Sequence, residues 1–203
     1  MGENATHPMT EHAADSLVDQ LLVLRCQTGD EAAFAELVGR YHRRLRYYLQ
    51  KMLDAQRVDD ALQELWLDVF RSIGKLKEPR AFSAWVYRLA RDRAYRNLRR
   101  VEDRTRDLAQ LDLPDVADVA FCAEDAEEIH QTLGQLNPEH REVLLLRFVE
   151  DMSYDQIADV VGCELGTVRS RLHYAKQKLK ELIQQRNHYE PERFSRRTAQ
   201  AGR

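Results

Sequence analysis

"SYDQIADVVGCELGTVRSRLHYAKQKLKELI", from Ser153 to Ile183, reads as two helices joined at a single glycine. Ser153 followed three residues later by Gln156 is a capping-box pattern, so a helix is expected to start there. Ile157, Ala158 and Val161 then face inward, and Gly162 supplies the turn. In the next helix Val168, Leu172, Ala175, Leu179 and Leu182 recur at steps of four and three, one continuous apolar stripe. The small Ala158, the turn glycine and the inward Val168 together give helix-turn-helix spacing. In that motif the second helix enters the major groove with its N-terminal residues nearest the bases. Charge is polarised to match. Residues 137–164 carry two basic residues against seven acidic, whereas 165–186 carry six basic against one acidic. Attraction to phosphate is thus concentrated on the candidate reading helix. The competing reading is an ordinary helical hairpin whose lysines and arginines face water.

The rest of the chain is helical in pattern too. Eight glycines and five prolines in 203 residues are few, which favours an all-α protein. "EAAFAELVGRYHRRLRYYLQKML" places Phe34, Leu37, Val38, Tyr41, Leu45, Tyr48, Leu49 and Met52 at helical steps, with Asp30 as N-cap. "VDDALQELWLDVFRSIG" sets Ala61, Leu65, Val69 and Ile73 in a stripe beside Leu62, Trp66 and Phe70, with Gly74 as its C-terminal stop. A third helix is expected from about Phe82 to Arg100, with Trp85, Leu89 and Leu98 offered to the core.

Charge divides the chain sharply. From Lys75 to Arg100 there are nine basic residues against two acidic; from Asp107 to Glu128 there are eight acidic and none basic. The acidic run, with Pro114 and no durable apolar period, reads as a flexible linker between two small helical domains, the second a helix-turn-helix. The expected division is a tail over 1–18, a helical domain over 19–100, the linker over 101–127, a helix-turn-helix domain over 128–186 and a polar tail over 187–203.

Several classes are set aside. Cys26, Cys122 and Cys163 form no close pair, so no disulfide framework or zinc site is expected and a reducing cytoplasm is the simplest setting. No apolar run approaches a membrane span, and the opening residues lack the basic start and apolar core of a signal peptide. No Walker loop, metal-ligand cluster or nucleophile–base pair is present, so neither cofactor nor enzymatic activity is expected. The net charge of −3 means that any affinity for nucleic acid resides in local patches.

Four segments in order resemble the extracytoplasmic-function sigma factors of the sigma-70 family: "GDEAAFAELVGRYHRRLRYYL", "DDALQELWLDVFRSI", "FSAWVYRLARDRAYRNLRR" and "LNPEHREVLLLRFVEDMSYDQIADVVGCELGTVRSRLHYAKQKL". The second departs from the frequent "DLVQETF" by reading "DALQELW". The resemblance implies a transcription initiation factor whose partners are bacterial core RNA polymerase and promoter DNA, and many relatives are held by an anti-sigma factor. It implies polymerase contact through Asp60, Gln63 and Glu64. It implies −10 capture and melting through the loop cations Lys75, Lys77 and Arg80 and through Arg88, Arg91, Arg96, Arg99 and Arg100. Tyr87 and Tyr95 are either base-stacking platforms there or core aromatics. The −35 element falls to Gly166, Thr167, Arg169, Ser170, Arg171, His173 and Lys176. The alternatives are a helix-turn-helix repressor or activator acting on a duplex operator, and an adaptor whose helices only contact other proteins.

Overall fold

The computed structural model describes residues 9–105 and 132–189, with side chains for 15–96 and 132–185. The described residues are helical with no strand, and the chain divides into two compact units. The Asp107–Glu128 acidic run and Cys122 lie outside the described residues, as do most of the expected linker and the C-terminal tail beyond Tyr189.

The N-terminal unit is built from α1 (Met9–Gln27), α2 (Glu31–Met52), α3 (Ala55–Ser72) and α4 (Phe82–Thr105). Helix α1 begins within the stretch expected to be tail, and α4 continues past Arg100 into the stretch expected to be linker. Between α1 and α2 the chain turns at Gly29, whose φ of +89° is the left-handed conformation glycine adopts without cost. Asp30 then caps α2, accepting from the Ala33 N–H at 3.1 Å and from the Arg25 Nε–H at 2.9 Å. Those bonds, the Ala33 N–H first, hold its carboxyl below the usual carboxylate range.

The apolar stripes read from the sequence meet in this unit. Leu37, Tyr41, Leu45, Tyr48, Leu49 and Met52 of α2 are buried, as are Ala61, Leu65 and Val69 of α3 and, in the turn beyond it, Ile73. Each buried leucine, valine, isoleucine or methionine among them contributes roughly 1.5–3 kcal/mol relative to exposure. The α4 stripe is not the expected one: Phe82, Val86, Tyr87, Ala90 and Ala94 are buried, while Trp85 and Leu89 are only half-buried. Small alanines at the contact let α4 lie close to its neighbours, and the larger residues fall at the margins. Gly74 follows the end of α3 as expected. Helix α3 ends at Ser72, and Gly74 lies within a 3₁₀ turn, Ile73–Lys75, with negative φ. That turn is fastened to α1 by Gln27, whose Nε2 donates to the carbonyls of Ile73 (3.2 Å) and Leu76 (2.7 Å).

The C-terminal unit holds α5 (Pro138–Leu144), a π-helical turn (Leu145–Val149), α6 (Tyr154–Val161) and α7 (Leu165–Tyr189). Asn137 caps α5 by accepting from the His140 N–H, and Pro138 takes the first helical position, where no N–H is needed. Arg141 donates to the carbonyls of Leu133, Gly134 and Leu136 at 2.7–2.9 Å, closing the chain segment that leads into α5. Val143, Leu144, Leu145, Leu146, Met152, Ile157, Val160, Val168, Leu172 and Ala175 form the core.

Candidate nucleic-acid and polymerase interface

The opening hairpin folds as its residues dictate. The Ser153 N–H donates to Gln156 Oε1 at 2.9 Å and the Gln156 N–H to Ser153 Oγ at 3.2 Å, a reciprocal capping box. Gly162 has φ +70°, and the Cys163 N–H returns to the Ala158 carbonyl at 3.3 Å, closing α6. Helix α7 then starts on the Glu164 carbonyl, which accepts from Thr167 and Val168. Val168, Leu172 and Ala175 are buried, and Leu179 and Leu182 are half-buried where the helix outruns the unit.

Burial of that stripe fixes what α7 shows to solvent. Gly166, Arg169, Ser170, His173 and Lys176 are exposed on one side, with Thr167 half-buried at its edge. Ser170 Oγ donates to the Thr167 carbonyl at 3.0 Å, and His173 lies edge-on against Tyr174 at 5.5 Å. Arg171, expected with Arg169 among the residues nearest the −35 element, has a different environment. It is half-buried and its guanidinium pairs with Glu139 of α5 at 3.0 Å. Arg171 stands about 200° around the helix from Arg169, on the side that meets α5.

In the N-terminal unit two surfaces form. On α3, Asp60, Gln63 and Glu64 are exposed beside Leu67 (47% exposed) and Phe70 (60%). Phe34 packs edge-on to Trp66 and Phe70 at 6.2 and 5.2 Å, and with Val38, Leu62 and Leu67 these rings line a groove of about 500 Å³. The face thus combines exposed apolar side chains with carboxylates. The sequence carried its signal, since Phe70 flanks the α3 stripe and Leu67 falls outside it.

The second surface is cationic. Lys75, Lys77 and Arg80 are exposed in the loop before α4, with Arg80 paired to Glu78 at 3.2 Å. On α4, Arg88 and Arg96 are exposed, and Arg91 lies over the Tyr95 ring at 4.4 Å. Arg99 and Arg100 belong to α4, but their side chains lie outside those described. Tyr87 is the core aromatic of its two readings: it is fully buried and packs edge-on against Tyr48 at 5.5 Å, so it presents no face to a base. Tyr95 is half-buried. Arg93 joins neither surface freely. Its guanidinium bonds both Asp68, with Nε at 2.9 Å, and Glu64, so one residue of α4 holds two carboxylates of α3. Sequence periodicity had no means of revealing this cross-helix pair.

Residues 37–105 match the family model "Sigma-70 region 2", and residues 126–179 match "Sigma-70, region 4". The RNA polymerase sigma-H factor of Pseudomonas aeruginosa is 34% identical over 82% of this chain and 94% of its own length. The chain belongs to the extracytoplasmic-function group of the sigma-70 family. Within that family the sigma-E factor of Haemophilus influenzae is 31% identical over 84% of this chain and 98% of its own. Two solved structures share the fold. One is CnrH in complex with the cytosolic domain of CnrY (24% identity, TM-score 0.64, 82% of this chain and 97% of that one). The other is the sigma factor RpoE of Bartonella quintana with the anti-sigma factor NepR (19%, TM-score 0.68, 74% and 96%). The protein is a sigma factor that directs RNA polymerase to promoters. No helix among the described residues is long and apolar enough to cross a membrane.

Proposed function

We propose that this sigma factor divides its work among three surfaces. The exposed face of α3, with Asp60, Gln63 and Glu64 around Leu67 and Phe70, docks on core polymerase. The loop cations Lys75, Lys77 and Arg80, with Arg88, Arg91, Arg96, Arg99 and Arg100 of α4, hold the −10 strand as it separates. Extruding a base costs a few kcal/mol, which contacts to the displaced strand offset. The first turns of α7 read the −35 element as duplex through Thr167, Arg169, Ser170 and His173, with Lys176 on phosphate and Gly166 permitting close approach. The observation that carries this reading is the exposed cation-bearing start of α7, held outward by the capping box, Gly162 and the buried Val168–Leu172–Ala175 stripe.

The protein is not itself an enzyme in this reading; nucleotide chemistry belongs to the polymerase, and the site of action is the cytoplasm. Specificity is split between two tethered units, so each contact alone is weak and polymerase joins them. Because both solved relatives were captured with inhibitory or cytosolic partner chains, an anti-sigma partner is proposed here as well.

The test is transcription by bacterial core polymerase on a library of genomic fragments, with and without the protein. New transcripts whose start sites share two spaced elements are expected. If the protein binds a duplex site tightly but neither binds nor redirects core polymerase, it is an operator-binding regulator instead.

A further inference from the structure

Helix α1 is apolar on two sides, and the three surfaces above use neither. Leu22 and Val23 are buried against the N-terminal unit, whereas Leu17, Leu21 and Leu24 are 50–65% exposed, with Val18 exposed beside them. Polar ties fix which side faces in. Asp19 accepts from the Tyr41 hydroxyl and from the Arg40 Nε–H at 2.7 Å, and Gln27 bonds the turn after α3. Leu22 and Val23 stand about 140° and 120° around the helix from Leu17, so burying them turns the three leucines outward.

Helix preference does not account for this face. Leucine suits a helix at any position, but the steps of four and three from Leu17 to Leu21 to Leu24 are those of a helix–helix seam. Val18, at the edge of the seam, is β-branched and a poorer helix former, so it is not there for helix propensity. A membrane surface fits no better. Residues 9–27 carry Glu11, Asp15 and Asp19 against the single cation Arg25, whereas a helix lying on a bilayer is rich in lysine and arginine on its polar face.

The face does match its own reverse. In an antiparallel pair of α1 helices, Leu17 lies against the partner's Leu21 and Leu21 against the partner's Leu17. The same register sets Val18 against the partner's Val18 on one flank and Gln20 against the partner's Gln20 on the other. It also sets Arg25 against the partner's Glu11, once at each end of the seam, as a two-fold axis requires. Arg25 is exposed and already paired with Asp30 at 2.8 Å, so a second carboxylate can reach its guanidinium. A parallel pair aligns Arg25 with Gln20 and forms no such charge contact.

We infer that the outward face of α1 is a self-association surface, through which two copies of this chain pair as antiparallel helices around the Leu17–Leu21 layers. The ties of Asp19 and Gln27 hold α1 in place beforehand, which lowers the ordering cost of pairing. The seam spans few turns, so the dimer is weak and in equilibrium with monomer. This pairing is independent of the readings of α3, α4 and α7.

The test is sedimentation velocity on the full-length protein over a wide range of concentration, with reductant present so that no intermolecular disulfide contributes. The wild type is expected to pass from monomer toward dimer as concentration rises. Leu21→Glu should raise the midpoint by at least about tenfold, because it sets a carboxylate against leucine in both copies. Its thermal unfolding and its affinity for core polymerase should match the wild type, since Leu21 is exposed. Glu11→Lys should weaken association more at low salt than at high, because it opposes two cations at each end. A wild type that stays monomeric throughout overturns the inference, as does a midpoint indifferent to Leu21→Glu. Loss of core affinity in Leu21→Glu overturns it in favour of a polymerase contact. A midpoint indifferent to Glu11→Lys overturns the antiparallel register.

Discussion

Arg169 and Arg171 are two residues apart, carry the same group and occupy different environments. Arg169 is exposed at the start of α7, whereas Arg171 is paired with Glu139. Replacing Arg169 by alanine should lower transcription from promoters with an intact −35 element by roughly five- to 150-fold, as loss of 1–3 kcal/mol implies. Arg171→Ala should act mainly through stability, and modestly, because the pair is partly exposed. Comparing promoter strength with thermal unfolding for both variants separates the two. Asp30 gives a pH prediction. Its folded pKa lies below the ordinary carboxylate value, so its stabilisation is present above about pH 4 and lost as pH falls through the folded pKa. Asp30→Asn keeps the cap acceptor but not the charge. The stability difference between wild type and variant should therefore shrink in acid, as read by unfolding at pH 7 and pH 3. Burial, reinforced by the nearby Asp30 carboxylate, raises the Cys26 thiol. It should alkylate more slowly at pH 8 than a cysteine in an unstructured peptide.

Among the elements, α3 and α4 are joined by charge as well as by packing. Arg93 holds Asp68 and Glu64, and Glu64 also belongs to the face proposed to dock on polymerase. Reversing Arg93 to aspartate should weaken promoter opening and destabilise the N-terminal unit, since it places three carboxylates together. Adding Asp68→Arg should restore much of both losses, which a double-mutant cycle on unfolding and on strand separation would measure. No recovery in the cycle argues that the contact is incidental. In the C-terminal unit the decisive element is α7. Leu172→Ala should cost about 2–5 kcal/mol by leaving a cavity beneath the reading face.

For the whole molecule, the division into two helical units was legible from charge and the helix-turn-helix from spacing, whereas the roles proposed for its surfaces came from the family resemblance. Capping, turn glycines and amphipathic stripes are local chemistry, and Ser153–Gln156, Gly162, Asp30 and Pro138 all took the places their neighbours in sequence implied. The apolar stripes of α2, α3 and α7 were equally legible, because helical periodicity alone decides which residues can share a face. The side on which each remaining group would be used was another matter. Tyr87 could be assigned to core or surface only once α2 lay against α4. Arg93 turned out to pair with Asp68 and Glu64 of α3, and Arg171 with Glu139 of α5. Sequence by itself determined the helices and their buried stripes, since those depend on intervals of three and four residues. Tertiary structure decided the partners of Arg93 and Arg171, because those ion pairs are short-range contacts between residues 25 or more positions apart, which no periodicity records.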